Sequence, residues 1–351
     1  MYIKDILYEQ DVERVLQTEM NWQQLNGKTF LIIGASGMIG TFVIDVLMRY
    51  NEQNDAGLKI LALGRNRKRL EKRFSSYCLL SNFYVLEEDI TNELHLPINC
   101  DYIFHGASNT HPLAYAEDPI GTIMTNLLGT QRVLEYASSH DCARVLFMST
   151  VEIYGENRDN VESFKEDYCG YIDCNTLRSG YPEGKRASES LCQAYIAKYG
   201  IDIVIPRICR TFGPTMQIND SKASSQFIKN AVNNEDIILK SKGEQFFSYG
   251  YVGDVVSALL FILIHGKNGE AYNIASEKFN VHLNELAESL ASISGKKVIY
   301  QLPDEKEQLG FSKVKNAILS SEKLNDLGWT PKFSLIEALE HTVRILKDIK
   351  K

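Results

Sequence analysis

Short apolar runs alternate with longer stretches of helical periodicity, and the alternation begins at Thr29. Phe30 to Ile33, with Thr29 leading in, predict a short buried strand. Gly34, Gly37 and Gly40 punctuate a turn into an amphipathic helix from about Met38 to Tyr50. Further strands are predicted at Lys59 to Leu63, Phe83 to Leu86, Asp101 to Phe104 and Arg144 to Met148. Helical spacing covers Pro119 to Ser138 and Tyr181 to Tyr199. Strands alternating with helices predict right-handed βαβ units, hence an α/β fold with a doubly wound parallel sheet. Ahead of it, Ile6, Val12, Val15 and Leu16 predict one helix in an extension over residues 1–27. Towards the C-terminus, helices are expected at 225–232, 254–265, 283–293 and 334–348, with KSKGEQFFSYGYV as hairpin-like strands.

The strand ends carry the first chemistry. A strand, a G-x-x-G-x-x-G turn and a helix leave backbone amides bare at a helix N-terminus, where a Cβ would block a phosphate. That predicts a dinucleotide site. The second strand ends at Gly64-Arg65-Asn66, where an acid would accept from ribose hydroxyls and an arginine would accommodate a 2′-phosphate. Arg65 therefore tilts the cofactor, NAD or NADP, towards NADP, while Arg67 to Arg69 read equally well as a solvated helix face. The third strand closes on Asp89, whose carboxylate suits the adenine amino group. After the fourth come His105, read as structural, and the small residues Gly106, Ala107 and Ser108, which let a ligand approach the backbone.

Tyr181 and Lys185 stand four apart and so share one helix face. A free phenol titrates near 10, too high for a base at neutral pH. A neighbouring ammonium would favour the phenolate, and the pair then suits removal of a hydroxyl proton as hydride leaves the same carbon.

Composition narrows the class. Hydrophobic residues make up 44% and charged residues 24%, with a net charge of −7 and no basic block, which disfavours nucleic acid or an anionic membrane as partner. No apolar run is long enough for a membrane span and no signal-peptide core is visible. Seven cysteines without C-x-x-C spacing fit a reducing, cytoplasmic location and no metal site.

With GASGMIG, HGAS, STVEIYG, YPEGK, PRICRTFGP, YVGD, EAYNIA and LGW in order, the chain resembles the extended short-chain dehydrogenase/reductase superfamily over about residues 28–345. That superfamily comprises nucleotide-sugar epimerases, dehydratases and decarboxylases. EDYCGY, Arg178, EGKR and TFGPTMQIND resemble the UDP-glucuronate decarboxylase branch most. The resemblance implies a dinucleotide-binding domain over 28–205. It implies a smaller α/β domain, mainly 206–351, for the nucleotide-sugar substrate, with the chain crossing back to the main sheet. It further implies Tyr181 as acid/base, Lys185 on the nicotinamide ribose, Thr150 on the reacting hydroxyl and Glu152 in later chemistry. Gly34, Gly37, Met38 and Ile39 would hold the pyrophosphate; Asp89 and Ile90 the adenine; Ala107, Ser108 and Thr125 the far side of the cofactor. Tyr115 and Arg178 would face the sugar, and a homodimer would pair the helices at 119–138 and 181–199.

The departures carry information too. Val151-Glu152 replaces the Asp-Glu pair of dehydratases, which disfavours 4,6-dehydration. The family's diphosphate arginine is Phe247 here, and its Asn in R-I-F-N-T-F-G-P is Arg210. A phosphate-binding cation is therefore expected to have changed walls, with Arg210 a substrate contact. The leading expectation is an epimerase or decarboxylase that recycles its cofactor. The alternatives are an NADPH-dependent reductase of a keto sugar and a non-catalytic dinucleotide-binding protein.

Overall fold

The computed structural model describes residues 3–108, 117–301 and 314–350. Its centre is a parallel sheet built from β1 (Thr29–Ile33), β2 (Lys59–Gly64), β3 (Phe83–Glu87), β4 (Tyr102–His105), β5 (Arg144–Phe147), β6 (Ser149–Thr150), β7 (Ile203–Ile208) and a strand at Ala271–Ile274. From one edge the order runs β3, β2, β1, β4, β5, β7 and then 271–274, with β6 also pairing β7. The order reverses between β1 and β4, and in open α/β sheets ligands bind where such a reversal leaves a gap at the strand C-termini. All five residues of β1 are buried, as a central strand covered on both faces requires. Register brings Ile33 beside Leu63 and His105, and His105 beside Phe147, so the C-terminal ends of four strands finish level.

The crossovers follow the sequence pattern closely. α1 (Ile6–Leu16) precedes the sheet, with the Asp5 carboxylate accepting from the Leu7 and Tyr8 amides. α2 (Met38–Asn54) follows the glycine turn and α3 (Arg67–Arg73) is capped by Asn66. α4 (Pro119–Ser139) and α5 (Gly180–Tyr199) pack together on one face of the sheet.

Beyond β7 the chain forms β8 (Arg210–Phe212), α6 (Ala223–Asn233), β9 (Ile237–Leu239), β10 (Phe246–Tyr251) and α7 (Val252–His265). The strand at Ala271–Ile274, β11, pairs with β7, and then come β12 (Asn280–His282), α8 (Leu283–Ser294), β13 (Val298–Tyr300) and β14 (Asn316–Ala317). α9 (Glu322–Asp326) and α10 (Leu335–Lys350) end the chain. The expected hairpin over KSKGEQFFSYGYV does not form. Only β10 is extended there, and it pairs with β8 and β14 in parallel and with β12 antiparallel. Gly243, at φ +74, turns the chain into β10, and residues distant in sequence supply the strands beside it.

Candidate active site

A crevice of about 1440 Å³ lies across the C-terminal ends of the sheet. Its floor is the β1–α2 turn. Gly34 has φ +81, and a Cβ there would stand 3.0 Å from the Gly106 backbone; at Gly40 one would meet the Gly34 carbonyl at 2.7 Å. Side chains are thus excluded where the turn meets the end of β4. α2 begins after Gly37 with no side chain capping its amides, leaving them for an anion. The segment after β8 braces the turn: Thr215 donates to the Met38 carbonyl at 2.8 Å, and Gln217 donates to that of Ser36. Arg73 donates to the Thr41 hydroxyl at 2.6 Å and to the Thr215 carbonyl at 3.2 Å.

Gly34, Gly37, Met38 and Ile39 line this crevice, as do Arg65 at the end of β2, Asp89 and Ile90 after β3, Ala107 and Ser108 after β4, and Thr125 on α4. Asp89 accepts from the Thr91 amide and hydroxyl at 3.0 and 2.8 Å. Those bonds, with a smaller pull from Arg65, hold its carboxyl below the usual range. Ser108 donates to Asn126 at 2.9 Å, so its position is set by α4. His105 is buried, shares a 3.0 Å contact with Thr130 and is held neutral by burial down to about 3. It is structural.

Tyr181 and Lys185, on the first turns of α5, both face the crevice and are 6% and 3% exposed. Tyr181 shares a hydrogen bond with Thr150. Burial raises the phenol well above its usual range and the Glu152 charge adds to this, while the Thr150 bond opposes it. The expected depression of this phenol by Lys185 is not seen. The ammonium donates instead to the Met148 carbonyl at 2.7 Å and lies 4.6 Å from the centre of the Phe147 ring. Burial lowers Lys185 to about 8, against opposing pulls from Cys192 and Glu189. A buried ammonium takes the nearest strong acceptor, and here that is main chain.

Glu152 is the second residue of a 3₁₀ turn, Val151–Tyr154, capped by Thr150, whose hydroxyl accepts from the Glu152 amide at 3.3 Å. Its carboxylate faces two guanidiniums, Arg210 at 3.3 Å and Arg178 at 3.7 Å. Arg210 also lies over the Phe247 ring, 3.8 Å from its centre. The two positions where the sequence departs from the family's phosphate-binding pattern are therefore in contact. Tyr115 lies outside the described residues. Sequence reasoning missed the Met148 carbonyl as the lysine's partner, the anchoring of Ser108 by Asn126, and Phe247 as a platform; a main-chain acceptor leaves no compositional trace. Among the described residues no group of three metal-ligating side chains comes together.

The model of the NAD dependent epimerase/dehydratase family matches residues 30–275. The chain belongs to this family. UDP-glucuronic acid decarboxylase 3 of Arabidopsis thaliana is 33% identical over 314 residues, 88% of this family member and 86% of that protein. UDP-glucuronic acid decarboxylase 1 of Xenopus tropicalis is 30% identical over 322 residues, 91% and 72% of the two chains. Among solved structures, a UDP-glucose 4-epimerase of Thermotoga maritima with UDP-glucose superposes with TM-score 0.77 at 25% identity, covering 92% of this chain and 100% of that one. A Bacillus cereus UDP-glucuronic acid 4-epimerase, in complex with UDP-glucuronic acid and NAD, shares the fold with TM-score 0.76 at 22% identity, covering 92% and 99%. This family member is an NAD(P)-dependent enzyme of nucleotide-sugar modification. The uncapped N-terminus of α2 at the crevice fits a pyrophosphate, and the crevice is lined by both Asp89 and Tyr181.

Proposed function

We propose that the chain decarboxylates a UDP-linked hexuronic acid and regenerates its dinucleotide within each turnover. The observation that carries this is the convergence of Thr150, Tyr181 and Lys185 with a carboxylate flanked by two arginines at one end of the dinucleotide crevice. Gly34, Gly37, Met38 and Ile39 would hold the pyrophosphate, Asp89 and Ile90 the adenine, and Ala107, Ser108 and Thr125 the remaining wall. Held there, an oxidised nicotinamide dinucleotide would supply the hydride acceptor. Tyr181 takes the sugar's carbon-4 hydroxyl proton, with Thr150 holding the same oxygen. Lys185, lowered by burial to about 8 and donating to the Met148 carbonyl, is assigned to the nicotinamide ribose beside the phenol. A ketone at carbon 4 stands β to the carboxylate on carbon 5, so carbon dioxide leaves with the electron pair spread onto the ketone oxygen. Carbon 5 is then reprotonated, and Tyr181 returns its proton to the carbon-4 oxygen, for which a dinucleotide held in the crevice would supply the hydride. Tyr115, Arg178 and Arg210 are assigned to the sugar and its phosphate, and Glu152 to the proton at carbon 5.

Residues 28–205 form the cofactor unit in this reading, 206–351 mainly the substrate unit and 1–27 a helical extension. A homodimer is supported by exposed Ile120, Ile123, Met124 and Leu127, an i, i+3, i+4, i+7 stripe on α4. The cytoplasm is the proposed compartment, from the free cysteines; no helix among the described residues is long and apolar enough to cross a membrane.

The test is incubation with UDP-glucuronic acid and NAD, followed by mass analysis. Loss of carbon dioxide without net absorbance change at 340 nm is expected; a product of unchanged mass means epimerisation instead. Arg65, at the β2 end and facing the crevice, favours a second reading, an NADPH-dependent keto-sugar reductase. That reading requires net loss of absorbance at 340 nm and tighter binding of NADP than of NAD.

A further inference from the structure

The substrate end of the crevice holds an excess of positive charge. Glu152 supplies one carboxylate to the guanidiniums of Arg178 and Arg210. Arg210 Nη2 donates to Glu152 at 3.3 Å, but its Nη1 is buried with no hydrogen-bond partner. A buried guanidinium N–H without an acceptor is unfavourable, and natural sites leave one only where something else provides it. The guanidinium is also held flat. Parallel pairing sets Arg210 on β8 beside Tyr249 on β10, and Phe247 two positions earlier on β10 presents its ring beneath the cation, itself only 7% exposed. A planar cation clamped between a ring and a carboxylate has its free edge pre-aimed, which a flexible lysine would not have.

We propose that Arg210 is the specificity-determining receiver of an oxyanion carried by the sugar half of the substrate, and that Phe247 is the positioning residue that holds it. The oxyanion is the sugar's own carboxylate or the phosphate attached to the sugar; both accept from a guanidinium edge in the same way. Proximity to Thr150 and Tyr181 sets this end of the crevice, since Glu152 is two residues beyond Thr150 and its charge is felt by the Tyr181 phenol. Glu152 serves as a stand-in that keeps both arginines in place before the ligand arrives. The inference rests on the nucleotide-sugar reading above.

The experiment is calorimetric titration of the full chain with UDP-glucuronic acid, UDP-glucose and UDP, with NAD present. Arg210→Gln is expected to weaken UDP-glucuronic acid at least tenfold while NAD affinity stays within twofold. A loss confined to UDP-glucuronic acid assigns the anion to the sugar carboxylate; an equal loss for all three assigns it to the phosphate. Phe247→Leu should reproduce part of the loss, Phe247→Tyr should restore it, and the double variant should bind no worse than Arg210→Gln alone. Should Arg210→Gln fail to fold, Arg210→Lys keeps the charge without the planar stack and is expected to raise KM with kcat within about twofold. Unchanged affinity for all three ligands, or fully additive losses in the double variant, overturns the proposal while leaving the reaction intact. Failure of the unmodified chain to bind any of the three brings down the parent reading, and this one with it.

Discussion

Tyr8 and Tyr181 are both buried, and burial raises both phenols far above their usual range, yet their surroundings have opposite purposes. Around Tyr8 every carboxylate oxygen is taken. Asp45 accepts from Tyr8 and Tyr77, each at 2.6 Å, while Asp11 accepts from Tyr251 and contacts His341 Nδ1 at 2.8 Å. Both carboxylates are fully buried, and these bonds tie α1 to α2, to the end of β10 and to α10. Around Tyr181, by contrast, the phenol shares Thr150 and opens onto a large crevice, and Arg210 leaves an N–H uncommitted. A displaced titration marks burial; reactivity needs a vacancy beside it as well. The closed cluster is a fastener and the open one a workplace.

Substitution should separate the two. Tyr181→Phe is expected to lower turnover by about 10²–10⁴-fold, the usual scale for loss of a general acid/base, with NAD affinity and melting temperature nearly unchanged. Turnover within tenfold of the parent would remove Tyr181 from the proton path. Asp45→Ala should do the reverse. It strands two buried phenols, each costing about 1–3 kcal/mol without an acceptor, so chemical denaturation should show a loss of about 2–6 kcal/mol. Turnover per folded molecule should stay constant. A smaller loss, about 1.5–3 kcal/mol, is expected for Tyr8→Phe, which removes one hydrogen bond to a charged group.

How much of this contrast the sequence reveals depends on the range of the contacts. β1, its glycine turn and α2 are legible because period, apolar run and turn residues lie within one short segment. Tyr181 and Lys185 are legible because helical geometry alone puts them on one face. The direction of the Tyr181 shift is not, since burial depends on how α5 packs over β6 and the turn after it. Glu152, Arg210 and Phe247 come from three elements, and their contact requires the parallel register of β8 and β10. The same register explains the misread hairpin. Around Gly243 the residues have turn character, but β10 finds its partners in β8, β12 and β14 rather than in the preceding residues. The fastener is hidden for a similar reason: Asp11 and Tyr251 meet across 240 positions.

The finest test of the contrast is electrostatic and pairs a histidine of the fastener with one at the end of β4. His341 has its pKa raised, chiefly by its hydrogen bond to Asp11, with burial opposing. A histidine whose folded pKa is raised stabilises fully below its unfolded value near 6.5, and that stabilisation is lost as pH rises through the folded value. His105 behaves oppositely. It is held neutral down to about 3, so its unfolded form gains a proton first and the fold weakens as pH falls below about 6.5. The stability gap between the parent and His341→Gln should therefore be wider at pH 6 than at pH 9. For His105→Gln the gap should instead narrow on acidification. The His341 effect is the smaller, because burial opposes the pull of Asp11 there, whereas at His105 burial is the main cause and acts unopposed. If the His341→Gln gap were flat with pH, Asp11 would be held by Tyr251 alone, and the charge joining α10 to α1 would be that of the Arg14–Glu337 ion pair at 2.8 Å rather than that of His341.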